Sequence, residues 1–437
     1  MISNWIKKLI PQFAKNIYHL FQAILANVRY CFPSRRLKVI GVTGTNGKTT
    51  TVQMIAKVLE EAGHKIAVAS TINFKLGEKE WVNKSKFTTL SSFALQKFLH
   101  QAVAAKCEYA VLEVSSHSLD QNRVWGVNFL VAVITNVTRE HLDYHNTIDI
   151  YAQAKEKLFR MAVKNKNSVG VVNLQMEKAD NFLNYDFKKK YGYGIKVQSS
   201  KFKVQSDSLK FKTIIAENIK LGIKHSQFSI LNSQFSINLP GEFNIENALA
   251  AICAGLSQDI SLGKISNALS KIKGVPGRME HIENDHGIEV IVDYALTPDS
   301  LEKLYSYVSK LKSSGSKIIA VFGSCGERDR GKRPIMGEIV ASYADLCIVT
   351  NEDPYNEDPQ QIIDEVFEGV LGKKEEFKDA WRIMDRREAI KKALELAEPG
   401  GIVVITGKGA EEIMVIGAKR IPWNDPKVIR EVLRELG

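Results

Sequence analysis

A glycine turn after an apolar run is the first feature of this chain that could do chemistry. It follows the run at positions 39–42, and its residues are Gly44, Thr45, Asn46, Gly47, Lys48, Thr49 and Thr50. Glycines let backbone N–H groups turn toward phosphate oxygens, and the next helix adds the positive end of its dipole. Lys48 would reach the terminal phosphates and Thr49 would ligate Mg²⁺. The pattern predicts ATP binding.

The elements that must position this turn are a strand before it and a helix after it. The helix is indicated by apolar residues at helical spacing with a glycine behind them, namely Met54, Ile55, Val58, Leu59, Ala62 and Gly63. One position departs from the strict phosphate-loop spacing, because Val42 stands where that spacing has glycine.

Further polar side chains follow other predicted strands. Glu113 lies near the end of a strand over 108–114, where its carboxylate can reach a metal ion on the nucleotide. His141 lies in a polar stretch after a strand over 129–135, and Lys155 lies on a helix that comes next. Taken alone, His141 would be read as a structural histidine and Lys155 as a solvated helix residue.

Composition bounds the class of protein. The 437 residues are enough for two or three domains, and 44% hydrophobic with 25% charged residues is ordinary for a globular protein. The net charge of +11 suits small anionic substrates, and no nucleic-acid motif or concentrated basic stripe is present. Five dispersed cysteines without metal-type spacing indicate reduced thiols and a cytoplasmic protein.

The first 36 residues form an amphipathic leader. Their apolar face is interrupted by Pro11 and by basic residues, so no run is long enough to span a bilayer, and no signal-peptide cleavage site follows. One interpretation is a helix on the membrane surface, with Trp5, Lys7 and Lys8 at the headgroups. The other is a helix packed against the next domain.

Two α/β domains are expected after the leader. Residues 37–276 alternate strands and helices, which predicts a central ATPase domain with a mostly parallel sheet. Within it, residues 197–238 read as a small β subregion, with period-two patches at Phe202–Val204 and Leu209–Phe211 and Ser-Gln-Phe-Ser-Ile at 226–230 and 233–237. Residues 277–437 predict a second, Rossmann-like domain, and the cleft between the two domains is the expected site.

Taken together, the motifs resemble the Mur ligase family of ATP-dependent amide-forming ligases. The matching segments are 44–50, 113–117, 136–145 with Lys155, 239–248, 277–278 and 293–294. The resemblance runs from residue 37 to the C-terminus. It is closest to the branch that makes UDP-N-acetylmuramoyl-tripeptide, on segments 293–299, 322–334, 353–354 and 407–411.

The resemblance implies roles for the residues around the nucleotide. Lys155 would be carbamylated, and the carbamate would join Glu113 and His141 in holding a second Mg²⁺, in addition to the ion that Thr49 would ligate. A carbamate makes chemical sense there, because it converts an amine into the oxygen ligand that a hard cation prefers. Asn244 and Asn247 would lie near the adenine, and Arg278 and Asp293 near the phosphates and ribose.

Two further groups are implied by the same resemblance. The residues that would contact the muramoyl-peptide acceptor are Thr88, Thr89, Ser115 and Arg123. The residues that would contact the incoming amino acid are Arg330, Asp353, Tyr355, Gly407 and Glu411. His117 would orient the acceptor or move a proton, and a structural role explains it equally well.

Two departures from the family pattern stand out. The branch carries an N-terminal domain that holds the uridine nucleotide, and here only the leader precedes residue 37, so one expectation is an acceptor that lacks UDP or is held differently. Tyr355 stands where diaminopimelate-adding members carry an Arg after Asp-x-Pro. Tyrosine cannot pair bidentately with a carboxylate, so diaminopimelate is disfavoured and lysine or another amino acid becomes an alternative.

The expected reaction is ATP-dependent amide formation through an acyl phosphate, by a monomer that works in the cytoplasm or at the inner face of the membrane. Catalysis would fall to Lys48, Lys155, His117 and Glu113. Two alternatives stay open: a ligase of the same fold with a folate or polymer acceptor, and a non-catalytic ATP-binding partner subunit.

Overall fold

The structure is a computed structural model that describes residues 11–85, 87–195 and 211–437. The interpretations that involve Trp5, Lys7 and Lys8, and the period-two patches at Phe202–Val204 and Leu209, lie outside the described residues. The fold is α/β, as predicted. A large, mostly parallel sheet is formed by the first part of the chain and a second sheet by the later part.

Eleven strands of the described chain form the first sheet, in the order β11-β10-β9-β8-β7-β6-β1-β5-β2-β3-β4. They are β1 (Lys38–Thr43), β2 (Ile66–Ala69), β3 (Asn73–Leu76), β4 (Lys79–Val82), β5 (Tyr109–Glu113), β6 (Phe129–Ile134), β7 (Val169–Asn173), β8 (Lys189–Ile195), β9 (Phe211–Leu221), β10 (Ser226–Ile230) and β11 (Ser233–Ile237). The strands from β2 to β9 in that order pair in parallel, and the hairpins at both edges are antiparallel.

Helices cover both faces of this sheet, which is why its central strands are continuous apolar runs. One face carries α2 (Lys48–Glu61), α8 (Glu242–Ser257) and α9 (Leu262–Ser270), and the other carries α3 (Ser92–Ala104), α6 (Ile148–Ala162) and α7 (Ala179–Leu183). The short helices α4 (Ser116–Asp120) and α5 (Leu142–His145) follow β5 and β6. Helix α1 (Gln12–Arg29) packs on α3.

The repeated Ser-Gln-Phe-Ser-Ile segments are β10 and β11, paired antiparallel with Phe228 opposite Phe235. The two rings stack with centroids 5.3 Å apart. The prediction of paired strands for this repeat is confirmed, and the stacked pair anchors the edge hairpin in the core under α8 and α9.

The second sheet has the order β12-β13-β17-β14-β15-β16. Its strands are β12 (Glu280–His281), β13 (Glu289–Asp293), β14 (Ile318–Phe322), β15 (Leu346–Thr350), β16 (Ala380–Ile383) and β17 (Ile402–Thr406), and a separate hairpin joins β18 (Ile413–Ile416) to β19 (Lys419–Pro422). Its helices are α10 (Pro298–Ser309), α11 (Lys332–Tyr343) and α12 (Pro359–Leu371) on one face, with α13 (Arg386–Glu395) and α14 (Asp425–Glu435) on the other.

The two sheets meet across a polar cavity of about 270 Å³ at the carboxyl ends of β1, β5, β13 and β15. Direct hydrogen bonds join the two halves there. Asn46 Nδ2 donates to Asp299 Oδ2 over 2.8 Å, and Arg278 Nη2 donates to Thr49 Oγ1 over 3.4 Å. The cavity therefore lies where parallel-sheet proteins gather their ligands.

Candidate active site

The glycine turn adopts the cradle that the sequence predicts. Gly47 has φ of 80° and caps α2, and a Cβ added to it would lie 2.1 Å from Asn247 Oδ1. A Cβ added to Gly44 would lie 1.8 Å from Thr135 Oγ1. Neither position has room for a larger residue, because the backbone of the turn packs directly against the side chains around it.

Asn136 holds the turn from the end of the neighbouring strand β6. Its Oδ1 accepts from the backbone N–H groups of Thr45 and Asn46 at 3.1 and 2.8 Å, and its Nδ2 donates to the Asn46 carbonyl at 3.2 Å. One amide side chain thus satisfies three polar groups of the loop. Asn136 belongs to the 136–145 segment that resembles the family, but no local pattern indicates this loop-holding role.

Lys48 opens helix α2 at the cavity wall. Its Nζ donates to the carbonyls of Gly44 and Thr45 at 3.1 and 2.8 Å. Burial lowers the pKa of Lys48, and the carboxylates of Glu113 and Glu140 act in the opposite direction. An ammonium group that donates to backbone carbonyls in this way is well placed to turn toward a phosphate.

Thr49 and Glu113 form the oxygen-donor pair of the site. The Thr49 hydroxyl lies 3.1 Å from both carboxylate oxygens, and Glu113 Oε2 also accepts from the Thr71 N–H at 2.8 Å. Glu113 is 2% exposed. A hydroxyl and a fixed carboxylate facing a phosphate cradle are the hard ligands that Mg²⁺ takes from protein, with the remainder supplied by phosphate and water.

Lys155 lies behind the same turn, on helix α6. Its side chain is 1% exposed, its Nζ donates to the Gly44 carbonyl at 2.8 Å, and it lies over the Tyr151 ring at 4.1 Å. Burial, and then the charge on Lys48, hold the pKa of Lys155 well below its usual value. The structure thus places this amine in a setting that favours its neutral form.

Aromatic rings pack against each other beside Lys155. The His117 ring lies 4.6 Å from that of His141, 4.2 Å from that of Tyr144 and 5.5 Å from that of His145. Burial lowers the pKa of His117 to about 3 and that of His145 to about 4, and it lowers the pKa of His141 further. All three imidazoles are therefore neutral at pH 7.

Glu140 and Lys332 are a charged pair that the sequence did not single out. Glu140 Oε1 lies 3.6 Å from Lys332 Nζ, and both side chains are less than one-tenth exposed. Burial raises the pKa of Glu140, and its Oε2 makes no hydrogen bond within the described structure. This buried carboxylate lines the cavity next to His141 and contributes to the field at Lys48 and Lys155.

The residues expected near the adenine and ribose come from both halves of the structure, since Asn244 and Asn247 lie on α8 beside the glycine turn and Asp293 ends β13. Asn247 Nδ2 donates to Asn244 Oδ1 at 3.2 Å, and Asn244 Nδ2 donates to the Pro240 carbonyl at 2.7 Å. The Asp293 carboxylate accepts from the backbone of Met279 and Ala295, each at 2.7 Å, and burial raises its pKa.

A second cluster of charges occupies the far end of the cavity. Lys408 Nζ contacts both Asp353 oxygens at 3.0 and 2.9 Å and Glu411 Oε2 at 2.6 Å. Tyr294 OH donates to the other Glu411 oxygen at 3.2 Å. Tyr355 has a φ of 52°, its backbone carbonyl accepts from the Gly417 N–H at 2.6 Å, and the residue lines the same cavity as Asp353 and Glu411.

Comparisons with known proteins agree with this geometry. The Mur ligase middle domain matches residues 42–255, and the glutamate ligase domain of Mur ligases matches residues 277–409. A UDP-N-acetylmuramoyl-L-alanyl-D-glutamate–2,6-diaminopimelate ligase from Syntrophomonas wolfei is 39% identical over 416 residues, which cover 94% of this chain and 81% of that relative. The chain belongs to the Mur ligase family.

Other members of the family match along a similar length. A UDP-N-acetylmuramyl-tripeptide synthetase from Roseiflexus is 37% identical, over 95% of this chain and 82% of that relative. A solved UDP-N-acetylmuramoyl-L-alanyl-D-glutamate–2,6-diaminopimelate ligase superposes with a TM-score of 0.58 at 32% identity, covering 92% of this chain and 79% of the other. A folylpolyglutamate synthase from Mycobacterium tuberculosis has a TM-score of 0.67 at 17% identity, covers 90% of this chain and 96% of its own, and shows the fold alone.

Most of the residues expected from the sequence line the cavity of this Mur ligase. Those at its wall are Thr45, Asn46, Gly47, Lys48, Thr49, Thr50, Thr88, Glu113, His141, Asn244, Asn247, Arg278, Asp293, Asp353, Tyr355 and Glu411. Gly44, Lys155 and His117 lie just behind that wall, and they act on the cavity through the groups that they contact.

The remaining expected residues lie away from the wall. Thr89 Oγ1 donates to the Glu113 carbonyl, and Arg123 Nη1 donates to the Thr89 carbonyl, so both hold the strand end near Ser115. Gly407 lies against Glu352. Arg330 is half exposed and pairs with Glu357, while Arg328, which the sequence left unassigned, lines the cavity.

Two kinds of feature are absent from the described residues: a cluster of metal-ligating side chains and a membrane-spanning helix. Across residues 11–85, 87–195 and 211–437, no three or more His, Cys, Asp or Glu side chains converge to hold a metal ion. An Mg²⁺ ion at Thr49 and Glu113 would therefore need oxygens from ATP and water, as it does in other nucleotide sites. Among the described helices, none is both long and apolar enough to cross a bilayer.

Proposed function

We propose that this Mur ligase adds an amino acid to the terminal carboxylate of a muramoyl-peptide, with ATP converted to ADP and phosphate, in peptidoglycan biosynthesis. One observation carries the proposal: a phosphate cradle with Lys48, Thr49 and Glu113 shares one cavity with the Lys408–Asp353–Glu411 cluster. The first group can hold a nucleotide and the second can receive an amine. The expected domains, 37–276 and 277–437, would then each supply one half of the site.

The reaction has two covalent steps. An oxygen of the acceptor carboxylate attacks the γ-phosphorus, and the bond from that phosphorus to the bridging oxygen breaks to release ADP. The amine nitrogen of the amino acid then attacks the acyl carbon, its proton leaves to solvent or a base, and the carbon–oxygen bond to phosphate breaks.

This chain's own residues position the reactants and offset charge. Lys48 and the backbone N–H groups of the turn would hold the phosphates, with Arg278 and Arg328 near the transferred group. Bound Mg²⁺ supplies Lewis-acid stabilisation of the phosphoryl oxygens, and Thr49 and Glu113 would hold it. The buried aromatic cluster around His117 excludes water that would hydrolyse an acyl phosphate.

We further propose that Lys155 is carbamylated. A neutral lysine amine attacks CO₂, forming a nitrogen–carbon bond and releasing one proton, and the lowered pKa of Lys155 supplies that neutral amine. The product is an oxygen ligand next to Lys48, which is a strong positive partner.

Replacing Lys155 by Ala should abolish activity, short carboxylic acids should restore part of it, and ¹³C-labelled CO₂ should give a carbamate resonance in the parent only. Lys157→Ala on the same helix is the matched control.

We propose that the incoming amine binds near Glu411 and that its distal end meets Tyr355 in place of an arginine. The relatives at 35–39% identity are mostly named for 2,6-diaminopimelate. Tyr355 cannot bind the second carboxylate of that compound bidentately, so lysine is expected to be the better substrate. Tyr355→Arg should raise the preference for diaminopimelate, and no change in the ratio of kcat/KM would contradict the assignment.

Phosphate release across a panel of muramoyl-dipeptide acceptors and amino acids tests the function as a whole. We expect release that needs both an acceptor and an amino acid. Release with a folate or polymer acceptor alone would favour the non-wall alternative. ATP binding with no stimulation by any pair would favour a non-catalytic partner subunit.

The described cysteines are all free thiols. The cytoplasm, where ATP is made, is the proposed compartment.

A further inference from the structure

Helix α1 packs on the rest of the protein through small and polar side chains, which a surface helix would normally expose to solvent. Ala23, Ala26 and Asn27 are buried, and Asn27 Nδ2 donates to the Trp125 carbonyl at 2.8 Å. On the other side, Phe13, Ile17 and Phe21 are 68, 62 and 58% exposed. Small and polar residues thus face the domain, and large apolar residues face away from it.

The exposed residues form one continuous stripe along the helix. Phe13, Ile17, Phe21 and Leu25 recur every four residues, and Val28 continues the row. Scattered apolar residues on a surface are ordinary, but a row of this length along one helix face indicates a surface that another apolar phase covers.

The charge around the stripe is of one sign. Residues 11–38 contain five Lys or Arg and no Asp or Glu, and Arg29 at the end of α1 and Arg36 in the turn after it are exposed. The neighbouring helix α3 exposes Lys97 and also has no acidic residue. Asp120, which accepts from Asn16 in α1, is already paired with Lys157. An apolar stripe with cationic flanks matches an anionic lipid surface.

We propose that the outward face of α1 seats the protein on an anionic membrane surface. A second copy of this chain fits less well, because a two-fold contact through this face would bring two cationic sets together without acidic partners. The helix also touches the acceptor end of the site, where Gln12 Nε2 donates to Tyr144 OH at 2.6 Å and Tyr144 packs on His117. The membrane would therefore lie beside the acceptor-binding half of the cavity.

Flotation of the full chain with vesicles tests this proposal, and it needs neither ATP nor substrate, so it is independent of the proposed reaction. We expect binding to phosphatidylcholine vesicles that contain phosphatidylglycerol, and at least tenfold weaker binding to phosphatidylcholine alone. The triple variant Ile17→Ser, Phe21→Ser and Val28→Ser should lose at least tenfold in partitioning. It should fold normally, because the buried contacts of α1 are untouched.

Matched controls distinguish binding through this surface from nonspecific adsorption to vesicles. Leu231→Ser with Phe377→Ser, at two side chains that are 71 and 80% exposed elsewhere, should bind vesicles as the parent does. Arg29→Gln with Arg36→Gln should weaken binding to anionic vesicles and reduce its dependence on salt. The proposal is overturned if the parent does not float with anionic vesicles, or if the triple variant floats as well as the parent. It is also overturned if sedimentation velocity shows a dimer that the triple variant converts to a monomer without any vesicle binding, because a second copy would then cover the face.

Discussion

The two ends of the cavity are built on opposite principles. At the phosphate end, Lys48 donates to backbone carbonyls, and nearby Lys155 is held in conditions that favour its neutral amine. At the amine end, Lys408 is 0% exposed and is surrounded by Asp353 and Glu411. The first end presents cationic groups to an anion, whereas the cation at the second end is already paired with two carboxylates.

This difference separates binding from stability. Lys48 at the phosphate end donates to backbone carbonyls rather than to a carboxylate, so removing it should damage phosphate binding and catalysis more than the fold. Side chains at the amine end are each other's partners, so removing one should leave a buried charge and damage the fold.

The largest effect is expected from Lys48→Ala. Loss of the positive group at the transferred phosphate should lower kcat by on the order of 10³-fold, while the midpoint of thermal unfolding changes little. Steady-state phosphate release and calorimetry measure the two effects. Lys57→Ala, on the exposed side of the same helix with Glu61 as its partner, should leave both unchanged. A large loss of stability in Lys48→Ala would contradict the contrast.

Lys408→Met should act in the opposite way. Leaving Asp353, which is 2% exposed, without its buried cation should lower the free energy of unfolding by about 3–5 kcal/mol. Denaturant titration measures this, and Lys427→Met, at a side chain that is 76% exposed, should stay within about 0.5 kcal/mol of the parent. A stable Lys408→Met variant would show that the amine end is not held together by this pair.

Asn136→Ala should have a smaller effect on both properties. Two loop N–H groups lose their acceptor, which costs about 1–3 kcal/mol if water does not replace it. Because those groups shape the cradle, we expect KM for ATP to rise about tenfold, with kcat less affected. Equal falls in kcat and kcat/KM with KM unchanged would instead indicate a role confined to the transition state.

The pH dependence of stability gives the finest test. His117 and His145 have folded pKa values of about 3 and 4, below the unfolded value of 6.5, so the unfolded chain binds more protons in that window. Their contribution is complete above pH 6.5 and is lost as the pH falls toward those values. His145→Gln should therefore flatten the fall of the unfolding temperature between pH 7 and pH 5, and an unchanged slope would contradict the assignment.

Much of the fold could be predicted from the sequence, because apolar runs and glycine turns mark its strands and turns locally. The strands expected over 108–114 and 129–135 are observed at Tyr109–Glu113 and Phe129–Ile134, and the glycine turn identified the phosphate end. The pairings Glu140–Lys332 and Lys408–Asp353 could not be read in the same way, since their partners are distant in sequence and no local period links them. Likewise, nothing local decides which arginine of the 328–330 segment turns toward the cavity.

The leader shows the other limit of sequence patterns. An apolar helical stripe normally predicts the face that packs on the domain, and here α1 packs through Ala23 and Ala26 instead. Periodicity located the helix and its two faces. Only the packing against α3 decided which face was free.

Isotope transfer tests the acyl-phosphate mechanism, because an acyl phosphate requires an oxygen of the acceptor to move to phosphorus. With ¹⁸O in the acceptor's terminal carboxylate, we expect one labelled oxygen in the released phosphate for each amide formed. Unlabelled phosphate, or oxygen drawn from water, would contradict an acyl-phosphate mechanism in this cavity.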